Sequence, residues 1–125
     1  MRLLLDTPVF YWSFYERGRL SRKALGVIVG AEAIFVSSAS IWELAIKVRL
    51  GKINVDLNEL LAHIGESGFD ELPVLARHAV LVAQLPMHHS DPFDRLLIAQ
   101  AMSEPLWLVT ADAQLRQYSD LVIEV

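Results

Sequence analysis

The chain of 125 residues is 54% hydrophobic and contains no cysteine, so it fits one domain, residues 1–125, and excludes disulfides, thiol catalysis and thiolate metal sites. Its formal net charge of −4 at pH 7 argues mildly against a nucleic-acid partner, because such partners favour a basic surface. No uncharged apolar run could cross a bilayer, and Asp6 interrupts the N-terminal LLL, so we expect a cytoplasmic protein without membrane contact.

Five short apolar runs predict buried β-strands, and helical patterns lie between them. This alternation predicts an α/β fold, a doubly wound sheet of about five mostly parallel strands with helices on both faces. The predicted strands are 2–5, 34–38, about 71–74, 106–109 and 121–124, and the predicted helices are 8–17, 21–31, 40–50, 57–67, 76–84, 92–103 and 113–117.

Several predicted helices carry start and stop signals. Ser40 and Glu43 form an S-x-x-E pattern, and Asp56 and Glu59 form a D-x-x-E pattern, both typical of a capping box. Gly51 follows a basic last turn and predicts a helix end.

The segment 88-HHSDPFDRLLIAQA-101 also predicts a helix start. Asp91 suits the N-cap and Pro92 the first helical position, where its missing N–H costs nothing. Asp94 then occupies the third position, where a carboxylate suits the helix dipole. The local pattern needs no function beyond capping.

Four carboxylates nevertheless lie just after predicted strands or early in predicted helices. Asp6 ends the first strand, Asp112 follows the fourth, and Glu43 lies early in the helix after the second. Asp94 opens the helix that leads into the fourth strand, and that helix must begin at the carboxyl end of the sheet. Ligands of open parallel sheets bind beyond this edge, so we expect the four carboxylates to converge there.

Clustered carboxylates repel one another unless they take up protons or a cation. A set of oxygen ligands selects Mg²⁺ or Mn²⁺ over zinc, and such an ion assists phosphodiester hydrolysis by activating water and balancing charge on the phosphate. One ion would leave a residual charge of about −2 on four ionised groups, which a second ion or a shared proton would remove. The sequence is therefore compatible with either one or two bound ions.

These residues occur in stretches that together resemble the PIN-domain family, and most closely its VapC-type toxin ribonucleases. The resemblance implies a Mg²⁺- or Mn²⁺-dependent endoribonuclease whose acidic set is Asp6, Glu43, Asp94 and Asp112. It also implies homodimers and inhibition by a small antitoxin whose tail lies across the active site. The stretches are 4-LLDT-7, 40-SIWELAIKVRLGKI-53, 85-LPMHHSDPFDRLLIAQA-101 and 108-LVTAD-112.

The resemblance adds supporting residues and one departure. Thr110 matches a hydroxyl position that supports the site, and Asp91 is a helix cap first and a candidate outer ligand second. Many close relatives carry His where this chain has Pro8, which bears on substrate fit rather than on metal binding. Pro8 suits the first turn of a helix capped by Thr7.

Basic residues and two histidines leave alternatives open. Arg95 could pair with an RNA phosphate or an antitoxin carboxylate, or equally with Asp91 or Asp94. Lys47 and Arg49 predict either RNA-backbone contacts or ordinary solvated helix faces. His88 and His89 with Asp91 suggest zinc, but no third nitrogen or sulfur ligand has suitable spacing, so a loop is favoured.

Two other classes of function compete with the nuclease. A PIN-like module could bind RNA or a partner without cutting, although no acidic position is lost. A phosphoryl-transfer hydrolase could use Asp6 as a nucleophile, but it usually needs a second aspartate where Pro8 stands.

Overall fold

The computed structural model describes residues 1–125 and contains one five-stranded sheet in which every neighbouring pair of strands is parallel. The strand order is β3-β2-β1-β4-β5. The α/β architecture of the predicted strands and helices is therefore confirmed. The strands are β1 (Arg2–Leu5), β2 (Ala33–Ser37), β3 (Asp70–Leu72), β4 (Trp107–Thr110) and β5 (Val122–Glu124).

Six α-helices and two short 3₁₀ turns connect the strands. The two turns are Arg17–Arg19 and Ala113–Gln117. No helix is both long and apolar enough to cross a bilayer. The helices are α1 (Thr7–Tyr15), α2 (Arg22–Val29), α3 (Ser38–Arg49), α4 (Leu57–Glu66), α5 (Ala76–Val82) and α6 (Pro92–Ser103).

The strand order reverses at β1, which lies between β2 and β4. Leu4 is in register with Phe35 on one side and with Leu108 on the other. The chain moves outward from β1 to β3 and then returns to the opposite side of β1 at β4. A crevice therefore lies beyond the carboxyl ends of β1 and β4, where ligands of such sheets bind.

Hydrophobic cores on both faces of the sheet hold β1 in place. Leu3 and Leu5 pack with Phe10 in one core, and Leu4 packs with Leu97 in the other. All of these leucines are fully buried. A strand covered on both faces requires a continuous apolar run, and this is the pattern by which RLLL predicts a buried strand.

The helix starts confirm some sequence signals and correct others. Asp56 caps α4 as predicted, since its side chain accepts from two backbone N–H groups. The predicted capping box at Ser40 is wrong, because β2 runs directly into α3 and Ser37 caps the helix. Likewise Asp6, not Thr7, caps α1, since β1 meets that helix without a loop.

Candidate metal centre

Asp6 lies at the junction between β1 and α1 and is almost completely buried. Its backbone N–H donates to the carbonyl of Val109 at 3.0 Å, which continues the β1–β4 pairing. Its Oδ1 accepts the Val9 N–H at 2.9 Å, and its Oδ2 accepts the Thr110 hydroxyl at 2.5 Å. These bonds fix the carboxylate in the crevice beyond the two central strands.

Thr110 connects two of the carboxylates through one buried hydroxyl. While it donates to Asp6, its Oγ1 accepts the backbone N–H of Asp112 at 3.0 Å. Asp112 in turn caps the turn that follows, because its Oδ1 accepts the Gln114 N–H at 2.9 Å. The other carboxylate oxygen of Asp112 remains directed to the site.

Asp91 and Asp94 begin α6 as the sequence predicts. The Oδ1 atom of Asp91 accepts the N–H groups of Phe93 at 2.8 Å and of Asp94 at 3.2 Å. Asp91 is therefore the N-cap, with Pro92 first in the helix. The Asp94 side chain is 20% exposed and lies at the carboxyl edge of the sheet.

Glu43 reaches the site from α3. Its carboxylate lies 3.5 Å from the ammonium group of Lys47, one helical turn further on. The start of α3 is fixed against α1, because the buried Thr7 hydroxyl donates to Ser40 at 2.9 Å. Thr7 thus positions the helix that carries Glu43, although it does not cap α1.

The electrostatics of Asp6 and Asp94 link the four carboxylates: Asp94 and Glu43 act on Asp6, and Glu43 and Asp112 act on Asp94. Burial raises the pKa of Asp6 to about 7, although hydrogen bonds from Thr110 and Val9 lower it; the charges of Asp94 and Glu43 raise it further. Burial also raises the pKa of Asp94 to about 6, and nearby negative charges, those of Glu43 and Asp112 among them, act in the same direction. Ionising this cluster is therefore costly without a counter-charge.

His89 belongs to this cluster, although the sequence pattern favoured a loop without a metal-binding role for it. Its Nε2 lies 3.1 Å from Oδ2 of Asp112 and 3.6 Å from Oδ2 of Asp94. One ligand atom from each of these residues lies within 4.8 Å of the other two. His89 does lie in a loop as predicted, but that loop turns it toward the carboxylates, and only its position two residues before the cap hinted at this.

The donor set suits a hard divalent cation. Four carboxylates would supply oxygen ligands, and the buried Asp6 needs either a proton or a cation to offset its charge. The zinc site suggested by His88, His89 and Asp91 is not assembled, because His89 lies with Asp94 and Asp112 while His88 is exposed and packs against Tyr118. Mg²⁺ and Mn²⁺ therefore fit these residues better than zinc does.

Arg95 pairs with neither Asp91 nor Asp94, and its guanidinium is used inside the protein. The residue is only 9% exposed, and its guanidinium donates to the carbonyls of Val82, Leu85 and Pro86 and to the Tyr118 hydroxyl. It fixes the segment before α6. Because buried carbonyls need donors, these contacts indicate a structural role for Arg95.

Arg49 does not reach the cluster either. It is exposed, and it lies two residues beyond Lys47 on α3. Residues two apart on a helix face different directions, so Arg49 points away from the side that carries Glu43 and Lys47.

The comparisons with known proteins agree with this geometry. The sequence profile of the PIN domain matches residues 3–121. The chain is 34% identical over 123 residues to Ribonuclease VapC22 of Mycobacterium tuberculosis, with 93% of this chain and 91% of that protein covered. The chain belongs to the PIN-domain family. Its resemblance to that family in the sequence is thereby confirmed.

Solved structures of low sequence identity share this PIN fold. The crystal structure of VapBC2 from Rickettsia felis bound to a DNA fragment from their promoter matches with a TM-score of 0.72 at 16% identity, covering 100% of this chain and 98% of that chain. FitAcB from Neisseria gonorrhoeae matches with a TM-score of 0.70 at 20% identity, covering 98% and 96%. At these identities the likeness concerns the fold.

Replacing Asp6 by Asn should stabilise the metal-free protein at pH 8. The raised pKa means that the folded state binds more protons than the unfolded state between about pH 4 and pH 7. The free energy of unfolding therefore falls as the pH rises from about 4 to about 7, and it stays low above pH 7. Asn keeps the oxygen that accepts the Val9 N–H but carries no charge. Urea denaturation in EDTA should show a gain of about 2 kcal/mol at pH 8 and a weaker pH dependence.

Asp56→Asn is the matched control, because Asp56 caps α4 through the same kind of hydrogen bond but is exposed. It should change the free energy of unfolding by less than about 0.5 kcal/mol at either pH. A loss of stability at pH 8 in Asp6→Asn alone would show that the ionised carboxylate stabilises the fold, contrary to the repulsion inferred from the pKa values.

Replacing Arg95 by Met should lower the free energy of unfolding by about 3 kcal/mol, since buried carbonyls would lose their donors. The exposed Arg49→Met should have almost no effect in the same denaturation experiment. Unchanged stability of Arg95→Met, combined with weaker RNA binding, would instead support a role for Arg95 in binding RNA.

Proposed function

We propose that this protein is a metal-dependent endoribonuclease that acts as the toxin of a toxin–antitoxin pair. The convergence of four carboxylates beyond β1 and β4 is the observation that carries the proposal. The 34% identity to a protein named as a ribonuclease supports the reaction class. The reaction is hydrolysis of an RNA phosphodiester bond, in which a water oxygen bonds to phosphorus and one bridging P–O bond breaks.

Asp6, Asp94, Asp112 and Glu43 would hold the cation, Mg²⁺ or Mn²⁺. When bound, the ion lowers the pKa of a water molecule and balances negative charge on the phosphate. Glu43, held beside Lys47, is suited to orient the attacking water and to accept its proton. Thr110 and Thr7 position these carboxylates, and Asp91 acts as the cap of α6 and at most as an outer ligand.

A cleft that begins next to Asp6 in the chain, at Thr7, offers a path for single-stranded RNA, although none of the four carboxylates lines it. The cavity, about 580 Å³ in volume, lies between α1, α3 and the loop after α3, and it begins at Thr7 and Pro8. Lys47 and Lys52 line it and can contact phosphates. Tyr11 offers a face on which a base can stack, whereas the Arg19 guanidinium already lies over the Trp12 ring at 4.7 Å. Pro8 thus bears on substrate fit, as its departure from the family suggests.

Local positive charge in this cleft reduces the conflict with the net charge of −4. The two lysines line it, Arg19 is paired there with Glu16, and much of the negative charge belongs to the proposed metal ligands. RNA binding should therefore depend strongly on salt and on the metal ion.

The proposed protein partners are a small antitoxin and a second copy of this chain. The structural relatives include complexes described as VapBC and as toxin–antitoxin, which supports the antitoxin. Exposed apolar side chains supply surface for such contacts: Trp42 is 62%, Val80 64% and Met87 76% exposed.

A short fluorescent RNA incubated with Mn²⁺, with Mg²⁺ or with EDTA tests the proposed reaction. Cleavage should require a divalent ion, and Asp6→Asn and Asp112→Asn should each lower kcat at least about 100-fold. The exposed Asp120→Asn is the matched control and should cleave normally. Metal-independent cleavage would contradict the proposal, and RNA binding without cleavage would favour the idle binding module.

The salt dependence of RNA binding tests the cleft. With Ca²⁺ in place of Mn²⁺, Lys52→Ala should weaken binding and reduce the slope of log affinity against log salt by about 1, because one phosphate contact is lost. Arg49→Ala, which removes an equal charge outside the cleft, should leave that slope unchanged. Fluorescence anisotropy over a range of KCl concentrations measures both, and equal effects of the two variants would contradict this path.

A further inference from the structure

Two hydrogen bonds hold His89 in place, one to its ring and one from its backbone. Its Nδ1 accepts the backbone N–H of Asp91 at 3.0 Å. Its own backbone N–H donates to the Tyr118 hydroxyl at 2.8 Å, which fixes the loop beneath the ring. The imidazole is 17% exposed, so its Nε2 edge reaches the open side of the carboxylate cluster.

These bonds decide which ring nitrogen carries hydrogen. A backbone amide can only donate, so Nδ1 must present its lone pair to Asp91. The hydrogen of the neutral ring therefore lies on Nε2, which faces oxygen atoms of Asp112 at 3.1 Å and Asp94 at 3.6 Å. His89 thus offers the site a donor and no lone pair.

A role as metal ligand would require the opposite arrangement. Coordination through Nε2 needs its lone pair, which would move the hydrogen to Nδ1. Two N–H groups would then face each other across the 3.0 Å that separates Nδ1 from the Asp91 nitrogen. Because Asp91 caps the helix that carries Asp94, that clash would also disturb a metal-binding carboxylate.

We propose that His89 is a catalytic residue that donates a hydrogen bond from Nε2 to a non-bridging phosphate oxygen of the RNA. Without substrate the donor is used by Asp112 at 3.1 Å, and an Asp94 oxygen lies 3.6 Å away. A fixed donor here stabilises the charge that develops on the phosphate during water attack. This inference rests on the proposed nuclease function and adds to it a donor from outside the acidic set.

Three substitutions separate a donor from a ligand. His89→Asn places an amide oxygen near Nδ1, where it can accept the Asp91 N–H, but has no donor at Nε2. His89→Gln can bring an amide N–H to the position of Nε2. His88→Asn is the matched control, since His88 is exposed and lies edge-on to Tyr118. Melting temperatures of all variants identify any that fail to fold.

The first measurement is cleavage of the short RNA with saturating Mn²⁺. His89→Asn should lower kcat about 100-fold, His89→Gln should recover at least about tenfold of that loss, and His88→Asn should match the wild type. A kcat of His89→Asn within threefold of the wild-type value would overturn the proposal.

The second measurement is metal binding without RNA. Calorimetric Mn²⁺ affinities of the variants should stay within about threefold of the wild type, and pulsed electron paramagnetic resonance should detect no nitrogen bonded to Mn²⁺. A nitrogen coupling in the wild type that disappears in His89→Asn would overturn the proposal and make His89 a ligand.

The third measurement separates failure of this inference from failure of the nuclease function. Wild-type protein that binds RNA but does not cleave it would defeat the proposed function alone. The phosphate contact is then decided by anisotropy with Ca²⁺: about a tenfold loss of RNA affinity in His89→Asn but not in His88→Asn supports it, and equal affinities overturn it.

Discussion

The buried carboxylate of Asp6 is the constraint on which the site depends. Because β1 enters α1 without a loop, this side chain serves as helix cap and end of strand at once, and it cannot turn toward solvent. Its burial raises its pKa, and the neighbouring acidic groups raise it further. The fold therefore holds a charge that water cannot compensate, and a bound cation would stabilise the folded state as well as the reaction.

The other carboxylates are brought to Asp6 by the order of the strands. Because β4 lies next to β1, Asp112 follows the strand that neighbours Asp6. The Thr110 hydroxyl bonds both residues, since it donates to the Asp6 carboxylate and accepts the Asp112 N–H. The return of the chain through α6 puts the first turn of that helix at the same edge, which brings Asp94 into the cluster. Residues more than 100 positions apart thus share one hydrogen-bond network, as the 104-residue separation of Asp6 and Thr110 illustrates.

The sequence predicts this much because its main signals act locally or through topology. A fully apolar run such as Leu3 to Leu5 predicts a strand buried on both faces, and parallel strands predict that residues after their ends lie together. The start of α3 was misjudged because a helix that follows a strand directly needs no separate capping box. Arg95 and His89 could not be placed, since their partners are loop carbonyls, a distant tyrosine and a loop geometry that leave no periodic pattern.

The Tyr118 hydroxyl has a consequence for the C-terminal part of the chain. One phenol oxygen accepts from Arg95 and from the backbone of His89, and it lies in the segment between β4 and β5. The segment that leads into β5, the outermost strand, is therefore hydrogen-bonded through Tyr118 to the loop that carries His89. The position of His89 therefore depends on the packing of the segment before β5 as well as on the start of α6.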